Sequence, residues 1–206
     1  MSEKTASVSK TKKINVKYLT KIAILSAVAA ILMLLQIPVW FAPSFYEIDL
    51  SDAVILMGGF AMGPLAACVM EFIKNILNLI LNGTMTAGVG ELANFIMGCA
   101  LTVPAAFVYK KHKSLRGAIV SLAVGILTLS VVSCLVNYFI VIPAYVYFMG
   151  FELDSIIGMA SSVNSHVTSL GTLILFATLP FNLLKGGLCA VVNLLLYKRL
   201  SRVLHI

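Results

Sequence analysis

Charge is scarce in this sequence. Asp, Glu, Lys and Arg together make up 11% of 206 residues, against 60% hydrophobic, and the mean hydropathy is +1.02. That composition leaves room for one compact membrane bundle and no soluble domain. Acids are scarcer still, eight against fifteen Lys and Arg. Cysteine is also sparse: Cys68, Cys99, Cys134 and Cys189 stand singly in apolar segments without CxxC spacing. This argues against disulfide or metal roles and reads as small buried hydrophobes. There is no GxxxxGK[ST], so the chain carries no P-loop of its own. The long apolar runs lack period-2 alternation, which excludes a β-barrel and leaves helices as the way to satisfy backbone amides in lipid. The first apolar run, Ile22 to Ile37, has a basic flank but no small-residue cleavage site, and so reads as a retained helix.

What charge there is has a pattern. Lys4, Lys10, Lys12, Lys13, Lys17 and Lys21 form one basic group, Lys110, Lys111, Lys113 and Arg116 a second, and Lys198, Arg199 and Arg202 a third. Such clusters mark cytoplasmic loops beside an anionic leaflet, and explain the net charge of +7 without nucleic acid. The acids Glu47, Asp49 and Asp52, and then Glu152 and Asp154, fall between the clusters and are expected to face outside.

If all three clusters lie inside, an even number of crossings separates each pair. From Arg116 to Lys198 there are two, roughly Gly117 to Tyr147 and Ser169 to Tyr197, with the polar connector Gly150 to Thr168 outside. From Lys21 to Lys110 the first and last helices are Ile22 to Ile37 and Gly90 to Tyr109. The stretch between, Leu50 to Leu81, is too long for one span and too short for two full ones. Gly63-Pro64 divides it, because proline breaks an interior helix and restricts its predecessor. Ser51 to Met62 is then about 18 Å long at 1.5 Å per residue, against a bilayer core of about 30 Å. So short a helix requires protein cover or a cavity at its end. The expectation is an all-α integral membrane protein of six transmembrane helices, the second and third short, both termini cytoplasmic. It forms a single membrane domain over 1–206, with a basic segment at 1–17, the bundle at 18–199 and a tail at 200–206.

Ionisable groups inside the membrane cost about 2.5 to 3.5 kcal/mol each on insertion scales and call for a reason. Lys185 follows Asn182 by three residues, so the two share a helix face. Two readings are open: a snorkelling lysine beside a packing asparagine, or a donor pair lining a ligand cavity. Asn137 is either an interhelical hydrogen bond or a third member of that cavity. Glu71, Asn75, Asn78 and Asn82 follow one stripe of a helix. Glu71 and Lys74 read as a structural ion pair near the cytoplasmic end, and Asn78 and Asn82 as cavity candidates. Pro180 is expected to loosen the last helix in its outer third. The connector Pro38 to Leu50, with Trp40, Phe41, Phe45, Tyr46 and Glu47, is either an interfacial aromatic belt or a loop folding over a ligand. The glycine-rich run through Gly88 permits close approach of backbone to ligand. Glu91 is accounted for by the helix dipole, and His166 by solvation. An intramembrane enzyme using Glu71, Glu91 and His166 is the rival from another class, and no HExxH or paired His/Asp arrangement supports it.

Phe45-Tyr-Glu-Ile-Asp-Leu-Ser-Asp52, Gly59-Phe-Ala-Met-Gly-Pro-Leu-Ala66, Glu71-Phe-Ile-Lys-Asn75, Gly88-Val-Gly-Glu-Leu-Ala-Asn-Phe95 and Pro180-Phe-Asn-Leu-Leu-Lys-Gly186 stand in this order. Together they resemble the substrate-binding S component of energy-coupling-factor vitamin transporters, nearest the riboflavin-specific members. The resemblance covers nearly the whole chain after residue 17 and departs most in Ala42 to Glu47. It implies a six-helix protein of the bacterial plasma membrane that is not an enzyme, with no cofactor or metal. Riboflavin would be its bound substrate, captured outside. Its partners would be a transmembrane T component and two cytoplasmic ATPases, docked through small residues of the first helix, here Ala23 and Ala27 with Ala30 continuing the face. By position in the family, Asn137, Asn182 and Lys185 would contact the flavin ring, whose uracil-like edge offers carbonyl acceptors and an N–H donor. Tyr46, Glu47, Asn78 and Gly88 complete the expected substrate-binding set. Within the family, pantothenate, thiamin or a queuosine precursor are the alternative ligands.

Overall fold

The computed structural model describes residues 16–43, 45–84 and 86–204, with side chains as far as residue 197. Lys4, Lys10, Lys12, Lys13 and the side chains of Lys198, Arg199 and Arg202 lie outside that description, as do the last two residues of the expected cytoplasmic tail and the side chains of the rest of it.

The chain begins with α1, Val16–Met33. This helix starts and stops earlier than hydropathy suggests, because Ile37–Pro38 (β1) leaves the helix to pair antiparallel with Glu47–Ile48 (β2). Helix α2, Ser51–Met62, and helix α3, Pro64–Asn82, form a hairpin about Gly63. Gly63 has φ +95, which only glycine adopts without strain, and Pro64 sits in the first turn of α3, where its missing N–H costs nothing. Helices α4 (Val89–Lys111) and α5 (Leu115–Val136) follow, the second capped by Ser114, which accepts from the Gly117 N–H. A π turn, Asn137–Val141, runs on into α6, Ile142–Met149. After α7, Leu153–Val163, comes a last helical run: α8 (Leu170–Leu173), a second π turn (Ile174–Thr178) and α9 (Leu179–Leu204).

Five helical runs are long and apolar enough to cross a membrane. The short α2 is covered as the sequence requires: nine of its twelve residues are buried, and it packs against α1, α3, α4 and α9. Helix α3 is not short. Its 19 residues reach about 28 Å, close to a bilayer core. The main core sits where α2, α4, α5 and α9 meet, around Leu56, Leu101, Leu122, Leu129 and Cys189.

Three local features depart from expectation. The connector from Gly150 to Thr168 is not simply a polar loop: it folds into amphipathic α7, which buries Ile156 and Ala160 against Ile142, Val167 and Leu173. The run Leu115–Met149 has 35 residues, about 50 Å of helix, and so extends well past a bilayer core. Ala30 is 1% exposed and packs inward, whereas Ala23 and Ala27 are exposed, so Ala30 does not continue their face.

Both π turns end two residues before a proline, Pro143 and Pro180. A helical proline clashes with the carbonyl four residues back, and widening by one residue relieves that clash. The loosening expected near Pro180 therefore takes the form of a π turn.

Candidate functional site

The connectors α1–α2 and α3–α4 lie at the same end of the bundle, opposite the Gly63 turn. Between them and α5 and α9 is a cavity of about 430 Å³, within the usual range for small-molecule sites. Phe45, Tyr46, Tyr145 and Phe181 bring aromatic rings to its wall, and Asn78, Asn82, Asn94, Asn137 and Asn182 bring amides. Its ionisable lining residues are Glu47, Asp49, Glu91, Tyr46, Tyr145 and Lys185.

Of the residues picked out by sequence, Tyr46, Glu47, Asn78, Asn137, Asn182 and Lys185 all line this cavity. Gly88 does not; it caps α4 with φ +88. Asn137 opens the first π turn and Asn182 lies in the first turn of α9, just past the second; each donates Nδ2 to the carbonyl four residues back, Ser133 at 2.9 Å and Thr178 at 2.8 Å. That bond fixes the direction of each amide. The Oδ1 of Asn78 is buried without a hydrogen-bond partner among the described residues, an acceptor left over for a donor.

The connector folds over the cavity rather than lying in an aromatic belt throughout. Tyr46 is 6% exposed, its hydroxyl 2.6 Å from Thr178 Oγ1 and its ring 4.9 Å from that of Phe181. Burial pushes its phenol up to about 12, so it stays protonated and able to donate. Trp40, at 84% exposed, keeps the interfacial character expected of the loop.

Lys185 does not snorkel. It is 8% exposed, with Nζ 3.0 Å from Asp49 Oδ2 and 3.4 Å from Asp52 Oδ2. Asp49 and Asp52, expected to face outside, are instead each 3% exposed. Buried charge must be paired, and the two acids supply what lipid cannot. Asp52 also meets Lys74 Nζ at 2.5 Å, and Lys74 meets Glu71 Oε2 at 2.6 Å. The Glu71–Lys74 pair thus exists but is one end of a five-residue network in the bundle interior, not an isolated pair near the cytoplasmic face. The Glu71 contact lacks hydrogen-bond geometry, leaving both its oxygens without a hydrogen-bond partner among the described residues. They press on Gly98 of α4, where an added Cβ would come within 2.5 Å of Oε2.

Sequence reasoning missed Asp49 and Asp52 as site residues, yet a signal was present. Asp52 lies eleven residues before Gly63 and Lys74 eleven after it, so a tight hairpin sets them side by side. No comparable signal joins Asp49 to Lys185, which are 136 residues apart.

Glu91 lines the cavity as well, and the remaining candidates lie elsewhere. Glu91 accepts from Thr84 and Thr86 hydroxyls at 3.1 and 3.2 Å, closing the α3–α4 turn beside the cavity. His166 is exposed, its ring 5.9 Å from Phe176. Glu71, Glu91 and His166 stand in three separate places: the interior charge network, the α3–α4 turn and the connector after α7. Cys189 is buried and the other cysteines are half-buried, with the Cys68 and Cys99 sulfurs 3.9 Å apart.

Long apolar helices, a protein-covered short helix and a polar chamber at one end define an integral membrane protein with a cavity of small-molecule size between its helices. Residues 17–197 match the ECF transporter, substrate-specific component, and the chain belongs to that family, whose members are multi-pass proteins of the cell membrane. It is 35% identical over 187 residues to the riboflavin transporter FmnP of Bacillus subtilis, covering 90% of this chain and 93% of that one. It is 31% identical over 188 residues to the riboflavin transporter RibU of Staphylococcus aureus, covering 91% and 92%. A solved structure of the S component of a bacterial ECF transporter superposes with a TM-score of 0.70 at 30% identity, covering 91% of this chain and 97% of that one.

Proposed function

We propose that this chain is a riboflavin-binding S component that captures the vitamin outside the cell. It hands the vitamin inward when an ATP-driven module, a T component with two ATPases, engages it. The observation that carries the reading is the chamber itself, where Asn137, Asn182 and Lys185 meet the rings of Tyr46 and Phe181. Isoalloxazine is flat, with a polar edge of carbonyls and one N–H. Aromatic rings suit its faces, and amides and an ammonium suit its edge. Asn78 Oδ1, an unpaired acceptor, suits an N–H donor. The names of the relatives support the same ligand.

The topology that goes with this reading has six spans, α2 counted among them, and both termini inside. The experiment for the ligand is a titration of riboflavin against the purified protein, followed by quenching of flavin fluorescence. Saturable quenching is expected, and no quenching ends the reading. Orientation is checked with single cysteines and a thiol reagent confined to the outside. Thr86→Cys and Ser161→Cys should label and Ser114→Cys should not.

The exposed pair Ala23 and Ala27 on α1 is the proposed docking face for the T component, since small residues let helices approach closely. Ala27→Trp is expected to abolish uptake in cells while leaving riboflavin binding by the isolated protein unchanged. Equal loss of binding would show that the face is not separate from the ligand site.

A further inference from the structure

Asp49 occupies a junction of three elements. Its Oδ1 accepts from the Ser51 backbone N–H at 2.8 Å and from the Ser51 hydroxyl, which ties it to the first turn of α2. Its Oδ2 accepts from Lys185 of α9 at 3.0 Å. In sequence it directly follows β2, the strand that pairs with β1 and closes the loop carrying Tyr46. Although it sits at the end of a connector, it is 3% exposed.

The consequence falls on Lys185. An ammonium has three N–H donors. Asp49 takes one, and Asp52 stands as an ion pair at 3.4 Å without a hydrogen bond, so donors remain on a side chain that lines the cavity. Lysine is a flexible four-carbon stem with a strongly hydrated head, and such heads swing toward water when nothing holds them. Asp52 stands farther off at 3.4 Å and divides its charge between Lys185 and Lys74, which engages its other oxygen at 2.5 Å. Asp49 is the carboxylate committed to Lys185, and it is itself fixed through Oδ1.

We propose that Asp49 is a positioning residue for the ligand. Through its ion pair it aims the Lys185 ammonium along the cavity wall, and it links that aim to the seating of the loop that ends at β2. The proposal rests on the riboflavin reading only for the probe used in one arm of its test. It makes a specific demand: the charge of residue 49 matters to the ligand only while Lys185 is present.

Riboflavin affinity is measured by fluorescence quenching for the parent, Asp49→Asn, Lys185→Met and the double variant. Asparagine keeps an oxygen for Ser51 and removes the charge. Each single change should weaken binding by about tenfold or more. The double variant should bind no worse than Lys185→Met alone, because residues acting through one contact are not additive. Additive losses, or an Asp49→Asn variant that binds like the parent, overturn the proposal. If Asp49→Asn alone folds poorly in a thermal scan, the comparison of Lys185→Met with the double variant still decides. In both of those proteins the pair is already broken, and a further tenfold loss on changing Asp49 refutes action through Lys185. A ligand-free arm separates this proposal from the riboflavin reading. Labelling of Lys185 by a water-soluble amine reagent, read by mass spectrometry, should be at least about tenfold faster in Asp49→Asn, since a tenfold change corresponds to losing one hydrogen bond of this kind. Unchanged labelling overturns the proposal, whereas a parent protein that labels as expected but ignores riboflavin indicts only the choice of ligand.

Discussion

Lys74 and Lys185 are buried in one charge network and share Asp52, yet their surroundings differ. Lys74 is 1% exposed and meets two carboxylates, Asp52 and Glu71, deep between α2, α3 and α4. It has no face on the cavity. Lys185 is 8% exposed, meets Asp49 and Asp52, and lines the cavity. One lysine is enclosed by the fold and the other is held at its edge. The same side chain is therefore sealed in one place and borders the chamber in the other, and what separates them is access to that chamber.

That contrast can be broken experimentally. The largest effect is expected at the closed end. Lys74→Met leaves Asp52 and Glu71 buried with one fewer counter-charge, and breaking a buried pair costs about 3 to 5 kcal/mol. Thermal unfolding in detergent should show a large loss of stability, equal with and without ligand apart from the shift that ligand gives the parent. A fully stable Lys74→Met would mean that the enclosed end carries no structural load.

At the open end the effect moves from stability to affinity. Lys185→Met removes a charged donor worth about 1.5 to 3 kcal/mol, and riboflavin affinity should fall roughly ten- to a hundredfold. Asn182→Leu should behave alike, since it deletes both amide functions at the neighbouring position. If both bind riboflavin as tightly as the parent while remaining folded, the open end is no different from the closed one.

The smallest change sharpens the boundary between them. Tyr46→Phe keeps the ring against Phe181 and deletes the hydroxyl that meets Thr178. A hydrogen bond of this kind contributes about 0.5 to 1.5 kcal/mol. Riboflavin should dissociate several-fold faster in a stopped-flow chase, and the thermal transition should fall slightly, far less than in Lys74→Met. Because the Tyr46 phenol is pushed up to about 12 by burial, it is protonated in both folded and unfolded protein through neutral pH. Its share of stability should stay flat there and change only as the unfolded tyrosine ionises near pH 10.

Much of the fold was legible in the chain. Gly63-Pro64 placed the hairpin to the residue, because a left-handed glycine followed by a first-turn proline has few other uses. The length of α2 demanded cover, and four helices supply it. The site was legible as a set of polar residues on apolar helices, and six of the seven substrate-binding candidates reach one chamber. Their partners were not. The acids of the first connector looked like a solvated outer cluster, since composition cannot distinguish a carboxylate in water from one turned inward. The π turns were less legible: Pro180 was expected to loosen the last helix, the site near Pro143 was not picked out, and proline alone does not choose between a kink and a widened turn.

Sequence by itself determined which segments are apolar enough to cross a membrane, where α2 turns into α3, and that Glu71, Lys74, Asn137, Asn182 and Lys185 stand on apolar helices. Hydropathy, helical period and the constraints of proline and glycine act over a few residues, so they can be read from a few residues. Only the tertiary structure decided that Asp49 and Asp52 answer Lys185 and Lys74, and that one lysine is sealed while the other borders the chamber. A buried charge takes whichever opposite charge the packing brings within reach, and that choice is made across 136 residues of chain.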